Sequence, residues 1–62
     1  MNQLPVKTEE FVLRRPDGAY LTDDFETWSH DAQQAHSFIQ GAALNHCVEQ
    51  WRRHGVRVEA RP

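Results

Sequence analysis

The chain of 62 residues lacks several features that small proteins commonly use for stability or chemistry. Its single cysteine, Cys47, rules out an intramolecular disulfide, which is the usual support of small secreted domains. It has no apolar run near the roughly 20 residues that a membrane-spanning helix needs. The first residues lack the basic start and apolar run of a signal peptide. These absences predict a soluble, cytoplasmic protein that has no membrane contact.

The chain also lacks a large net charge, since its formal net charge is only -2 at pH 7. Acidic residues concentrate in the first half of the chain and arginines in the second. This distribution argues against binding a polyanion by net attraction, although a local basic face remains open. With 39% hydrophobic residues and a mean hydropathy of -0.78, the apolar side chains must gather on a few faces.

A β-hairpin is the strongest local feature that the sequence does contain. A β-prone run from Phe11 to Arg15 leads into Pro16-Asp17-Gly18. Proline and aspartate suit the central positions of a type I turn, and glycine suits the left-handed residue after it. Because side chains alternate along a strand, the residues should divide between the two faces of the hairpin. One face should carry Phe11, Leu13, Ala19 and Leu21, and the other Val12, Arg14, Tyr20 and Thr22.

The segment from Asp31 to His54 is the only long stretch with apolar residues at helical spacing. Asp31 suits the start of a helix and Gly55 suits the residue just after one. Gly41 interrupts the segment, which predicts either one continuous helix or a short helix before Gly41 and a longer one after it. A stripe built on steps of four drifts around a straight helix, so the broken form is favoured. The predicted stripe contains Ala32, Ala35, Ile39, Ala43, Cys47 and Trp51, with Leu44 and Val48 beside it.

The remaining segments complete a small α+β fold. Residues 1–10 are predicted to form a flexible N-terminal arm and residues 11–62 a single ββαβ domain. Residues 25–29 are expected to connect hairpin and helix, with Phe25 and Trp28 against the core edge. The short alternating run 56–60 predicts a last strand with Val56, Val58 and Ala60 facing inward. The expected architecture is a three-stranded antiparallel sheet, order 2-1-3, with the long or broken helix on one face.

The hairpin with its Pro-Asp-Gly turn, then Trp28, then Ala35-x-x-Phe38 and an alanine-bearing helix, resembles a group of small uncharacterised proteins common in phages and prophages. The resemblance covers roughly residues 11–44, and its motifs are turn and core residues. It implies the fold and a bacterial or phage origin, and it carries over no catalytic residue.

Metal binding and catalysis find little support in the sequence. On a continuous helix, His36, Cys47 and His54 share a face but lie roughly 16 and 10 Å apart along the axis, too far to share one ion. Cys47 lies on the apolar stripe, which favours packing over nucleophilic chemistry. A domain of this size also has little room for a substrate cleft. We therefore expect no enzyme activity, no metal, no cofactor and no small-molecule substrate.

The sheet face away from the helix, called here the outer sheet face, is the predicted binding surface. Basic residues around an aromatic ring can stack a base and hold phosphates, and the same residue types are enriched at protein interfaces. The alternative is a solvated face in which Arg14 stacks on Tyr20 and Glu59 pairs with an arginine. The candidate binding residues are Arg14, Tyr20, Thr22, Arg57 and Arg61, and Trp51 with Arg52 forms a second candidate anchor.

These features favour a non-catalytic binding or adaptor protein, in the form of a phage or prophage accessory factor that engages a host protein. Weak nucleic-acid binding through the outer sheet face is the first alternative. A structural homodimer formed through a sheet edge or Trp51 is the second.

Overall fold

The computed structural model describes residues 9–61, which form an antiparallel sheet, one α-helix and two 3₁₀ helices. The predicted arm, residues 1–10, lies outside the described residues except for Glu9 and Glu10. In the described part of the chain, the strands follow the order β3-β2-β1-β4. The elements are β1 (Phe11–Arg14), β2 (Tyr20–Leu21), β3 (Trp28–Ser29), the first 3₁₀ helix (Ala32–Gln34), α1 (Ala42–Trp51), the second 3₁₀ helix (Arg52–His54) and β4 (Arg57–Ala60).

The α+β class is confirmed, but the predicted three-stranded sheet is wrong. The segment expected to be a connector contains β3, which pairs with β2 so that Trp28 lies opposite Leu21 and Ser29 opposite Tyr20. The sheet of residues 9–61 therefore has four strands, and the strand expected third in the chain is β4. Two-residue strands have too little sequence to show an alternating pattern, so only their pairing reveals them.

The turn between β2 and β3 is held by one carboxylate. Asp24 Oδ1 accepts from the backbone N–H groups of Glu26 at 2.9 Å and Thr27 at 2.7 Å, and from the Thr22 hydroxyl at 3.0 Å. Its Oδ2 accepts from the Thr27 hydroxyl. Phe25 at the turn has φ 61°, a left-handed conformation that bulky residues rarely adopt. The hydrogen bonds that Asp24 accepts from the backbone N–H groups of Glu26 and Thr27 compensate for the conformational cost at Phe25.

This arrangement predicts acid sensitivity of the β2–β3 turn. The Thr27 hydroxyl and the two backbone N–H groups hold the pKa of Asp24 far below its ordinary value of 3.8. Because the pKa is lower in the folded state, the stabilisation is fully present above about pH 5 and is lost as pH falls through 3.8 and below. We expect Asp24→Asn to be less stable than the wild type near neutral pH, with a difference that shrinks on acidification.

Chemical denaturation at a series of pH values measures this difference. Glu26→Gln is the matched control, since it removes a neighbouring exposed carboxylate and leaves the turn bonds in place. A gap between Asp24→Asn and the wild type that stays constant from about pH 7 to pH 2 contradicts the assignment.

The first hairpin forms as its turn residues predict. Gly18 N–H donates to the Arg15 carbonyl at 2.9 Å, and Arg15 N–H donates to the Ala19 carbonyl at 2.8 Å. Gly18 has φ 92°, the left-handed value that the bulged turn requires. Arg14 lies opposite Tyr20, so the predicted register is confirmed.

The helical segment is broken, as favoured. Asp31 caps the first 3₁₀ helix by accepting from Gln33 N–H at 2.9 Å, and a non-helical stretch precedes α1. The stripe is wrong at Ile39, which is 62% exposed, and at Ala32 and Ala43, which are also exposed. The spacing counts all three along one continuous helix, and the break resets that count. Phe38 instead enters the sheet layer, with its N–H and carbonyl bonded to Phe11 at 2.8 and 2.7 Å.

The core lies between α1 and the β1–β2 part of the sheet. Gly55 (φ 72°) ends the helical segment as predicted, and β4 then returns beside β1. The prediction that Val58 and Ala60 face a covered interior is wrong, because the core does not extend over β4 and leaves Val58 45% exposed. The buried cluster consists of Leu13, Leu21, Phe38, Leu44 and Cys47, with Phe11, Phe25, Trp28, Val48, Trp51 and Val56 packed against it.

Candidate functional site

The outer sheet face is less open than the sequence indicates. The strand register places Val12 on this face beside Glu59, yet Val12 is only 3% exposed. Residues 32–35, called here the crossing segment, comprise the first 3₁₀ helix and the buried Ala35, and they cross the face and cover part of it. The expectation of an uncovered sheet face is therefore corrected, because the crossing segment packs on the side of the sheet opposite α1.

Arg61 fixes that crossing segment to the end of β4. Its Nη1 donates to the Ala35 carbonyl at 2.8 Å and to the Ser37 hydroxyl at 2.6 Å, and its Nη2 lies 3.4 Å from the Ala32 carbonyl. The Arg61 backbone N–H donates to the Glu10 carbonyl at 2.8 Å. The guanidinium is thus held in one orientation by neutral acceptors.

A shallow pocket of about 200 Å³ lies where the crossing segment meets the sheet. Its walls are mainly apolar, and its lining includes an aliphatic side chain, an aromatic ring and an alanine. The polar groups at the pocket are an amide and a guanidinium. The lining residues are Val12, Tyr20, Ala32, Gln33 and Arg61.

A charged cluster lies beside this pocket and consists of Arg14, Tyr20, Arg57 and Glu59. The Arg14 guanidinium lies 5.0 Å from the centre of the Tyr20 ring. Glu59 uses one carboxylate oxygen for Arg14 at 3.3 Å and the other for Arg57 at 4.0 Å. Arg14 and Arg57 are directly opposite in the ladder, a pairing that like charge disfavours, and Glu59 offsets it. These contacts match the alternative prediction of a solvated face, in which Arg14 stacks on Tyr20 and Glu59 pairs with an arginine.

The remaining predicted residues lie apart from the pocket. Thr22 is engaged in the Asp24 turn. Trp51 packs edge-on against Trp28 with ring centres 5.4 Å apart, and its indole N–H is buried without a hydrogen-bond acceptor among residues 9–61. Arg52 is highly exposed and lies 3.7 Å from Glu49. The structure thus brings Tyr20 and Arg61 together at the pocket, with Arg14 and Arg57 nearby.

Sequence reasoning missed the crossing segment as part of the site. Ala32 and Gln33 were assigned to a helix on the other face of the sheet, and Val12 was expected to be exposed. The available signal was Asp31, because a capping residue eleven positions before Ala42, the first residue of α1, marks a separate element. Nothing in the residue pattern indicated which face of the sheet that element covers.

Cys47 and the potential metal-ligating side chains are the groups on which nucleophilic or metal chemistry would depend. Cys47 is buried in the core, and burial raises the pKa of its thiol, which disfavours the reactive thiolate. Among residues 9–61, no three histidine, cysteine, aspartate or glutamate side chains lie close enough together to hold a metal ion. Over the same residues, no helix combines the length and apolar character needed to cross a bilayer.

Comparisons with protein-family models, with curated proteins and with solved structures gave no match to this chain. The fold and the pocket define a small α+β domain with a partly covered outer sheet face.

Proposed function

We propose that the protein is a non-catalytic binding module that accepts one apolar or aromatic side chain of a partner protein in the pocket on its outer sheet face. The size and lining of the pocket carry this proposal. At about 200 Å³ it is smaller than the roughly 300 Å³ at which small-molecule sites begin. It therefore suits a single side chain better than a whole metabolite.

The pocket lining also supports a protein as the partner. The Tyr20 ring and the Arg61 guanidinium belong to the residue types that are enriched at protein interfaces. Arg61 is already oriented by Ala35 and Ser37, so binding does not have to order its long side chain. Its charge suits a partner segment that offers a carboxylate or backbone carbonyl next to the inserted side chain.

Following the resemblance of its sequence to phage and prophage proteins, we propose a bacterial cytoplasmic setting in which the partner is a host protein. Weak nucleic-acid binding is the second candidate, supported by Arg14, Arg57 and Arg61 on one face. It ranks lower because Glu59 offsets the first two charges and Arg14 lies over the Tyr20 ring that a base would need.

Filling the pocket tests the proposal. Ala32 is exposed and lines the pocket, so Ala32→Phe occupies the space without changing the core or any charge. Ala43→Phe makes the same change at an exposed position of α1 and is the matched control. We expect the tagged wild type and Ala43→Phe to capture one discrete protein from bacterial lysate treated with nuclease. Ala32→Phe should retain about a tenth of it or less.

A direct measurement then locates the contact. When the captured protein is added to the labelled chain, the Val12 methyl and Tyr20 ring NMR signals should shift more than those of Val48. Equal capture by both variants overturns the pocket proposal. Capture that disappears with nuclease, and steeply with added salt, moves nucleic acid to first place.

A further inference from the structure

The outer edge of β4 carries backbone groups that no strand of the described part of the chain occupies. Phe11 exchanges N–H and carbonyl bonds with Phe38 at 2.7 and 2.8 Å, so these groups point away from β4, while Arg61 N–H donates toward β1 at Glu10. Bonding direction alternates along a strand. In β4, Arg57 and Glu59 therefore bond to β1, and the N–H and carbonyl groups of Val58 and Ala60 point outward.

We propose that this edge pairs with the same edge of a second copy of the chain, antiparallel, about a two-fold axis through Val58. In this register the outward backbone groups of Val58 bond to those of Val58 in the partner copy. The flanking residues 56 and 60 bond across the same interface. The joined sheets form one continuous sheet, and the interaction goes beyond the proposed pocket function and does not depend on it.

The charges of β4 select this register over its neighbours. An axis through Val58 places Arg57 of each copy opposite Glu59 of the other, in the pair type whose side chains approach most closely. An axis shifted by one residue would place Arg57 opposite Arg57, or Glu59 opposite Glu59, which is unfavourable. The charges of β4 thus complement those of a second β4 strand that runs antiparallel to it. A second copy of the chain is therefore the partner that this edge fits.

The exposed apolar surface of β4 agrees with the same pairing. Val58 is 45% exposed on the helix side of the sheet, and the two Val58 side chains become neighbours about the axis. The paired strands are short, so the interface falls in the small, weak class and the dissociation constant is expected in the micromolar to millimolar range.

The axis runs perpendicular to the sheet, so both outer sheet faces lie on the same side of the dimer. The β1 strands of the two copies are three strand spacings apart, roughly 14 Å. Both pockets consequently open in the same direction.

Sedimentation equilibrium of the full chain from about 10 µM to 2 mM tests the proposal over the expected affinity range. The wild type should show a reversible monomer–dimer equilibrium. Arg57→Glu should raise its dissociation constant about tenfold or more, because both cross-copy pairs become repulsive. The double variant Arg57→Glu/Glu59→Arg should return to within about threefold of the wild type, since it restores both pairs in reverse.

Two further variants separate pairing from general effects. Val58→Pro removes the outward N–H and leaves the bonds to β1, a position where edge strands tolerate proline, so dimerisation should be lost while the circular dichroism spectrum is kept. Arg53→Glu makes the same charge change at an exposed position outside the sheet and should dimerise as the wild type does. A wild type that stays monomeric at 2 mM, or dimers that tolerate both Arg57→Glu and Val58→Pro, overturns the proposal.

Discussion

Replacing Phe38 by alanine is expected to leave the protein largely unfolded at room temperature. Phe38 is 2% exposed and packs in the buried cluster with Leu13 and Leu21. Its ring also stacks with Phe25 at 5.4 Å and meets the His36 ring edge-on at 4.5 Å. Truncating a buried phenylalanine costs about 3–5 kcal/mol. In a domain of 62 residues a single hydrophobic core rarely supplies more than about 3–5 kcal/mol of stability, so little remains.

The neighbouring residue provides a control at the same point of the chain. Ile39→Ala removes a side chain that is 62% exposed, so its free energy of unfolding should stay within about 0.5 kcal/mol of the wild type. Urea denaturation followed by tryptophan fluorescence measures both variants, because Trp28 and Trp51 pack against the core. A Phe38→Ala variant that loses less than about 1 kcal/mol contradicts the assigned packing.

Replacing Arg61 by alanine is expected to lower the free energy of unfolding by about 1.5–3 kcal/mol, the range for hydrogen bonds from a charged donor. The variant leaves the Ala35 carbonyl and the Ser37 hydroxyl without the guanidinium that joins them to β4. Amide exchange in the first 3₁₀ helix should accelerate more than exchange in α1, because Arg61 holds that segment on the sheet.

Two further substitutions distinguish the effect of the Arg61 hydrogen bonds from the effect of its positive charge. Arg61→Lys keeps the charge but has a single nitrogen, so it should recover less than half of the loss. Arg52→Ala removes an exposed arginine whose contact with Glu49 is 3.7 Å long, and it should cost no more than about 0.5 kcal/mol. Equal effects of Arg61→Ala and Arg52→Ala would contradict a structural role for Arg61.

The turn and capping residues were predictable because their conformations depend on near neighbours. Gly18 follows a Pro-Asp turn, Gly55 follows the helical segment, and both take the left-handed conformation expected of them. Asp31 caps a helix, as expected of a short carboxylate. Alternation around the first turn likewise assigned Leu13 and Leu21 correctly to the core.

The candidate site was only partly predictable. Tyr20 and Arg61 were placed on the correct face by strand alternation, and both line the pocket. The prediction missed that Ala32 and Gln33 form its opposite wall, because that wall depends on which side of the sheet the chain crosses after β3. The strand of Trp28 and Ser29 was missed for a related reason, since it exists only through pairing with β2.

The amino-acid sequence by itself determined the hairpin register and the α+β class and favoured the break in the helical segment, because each follows from patterns among residues a few positions apart. The tertiary structure alone decided the fourth strand, the burial of Val12 and the exposure of Val58. It also decided the role of Arg61, whose guanidinium bonds to Ala35, 26 residues earlier in the chain. Such contacts depend on how the layers pack, and local propensity carries no information about that packing.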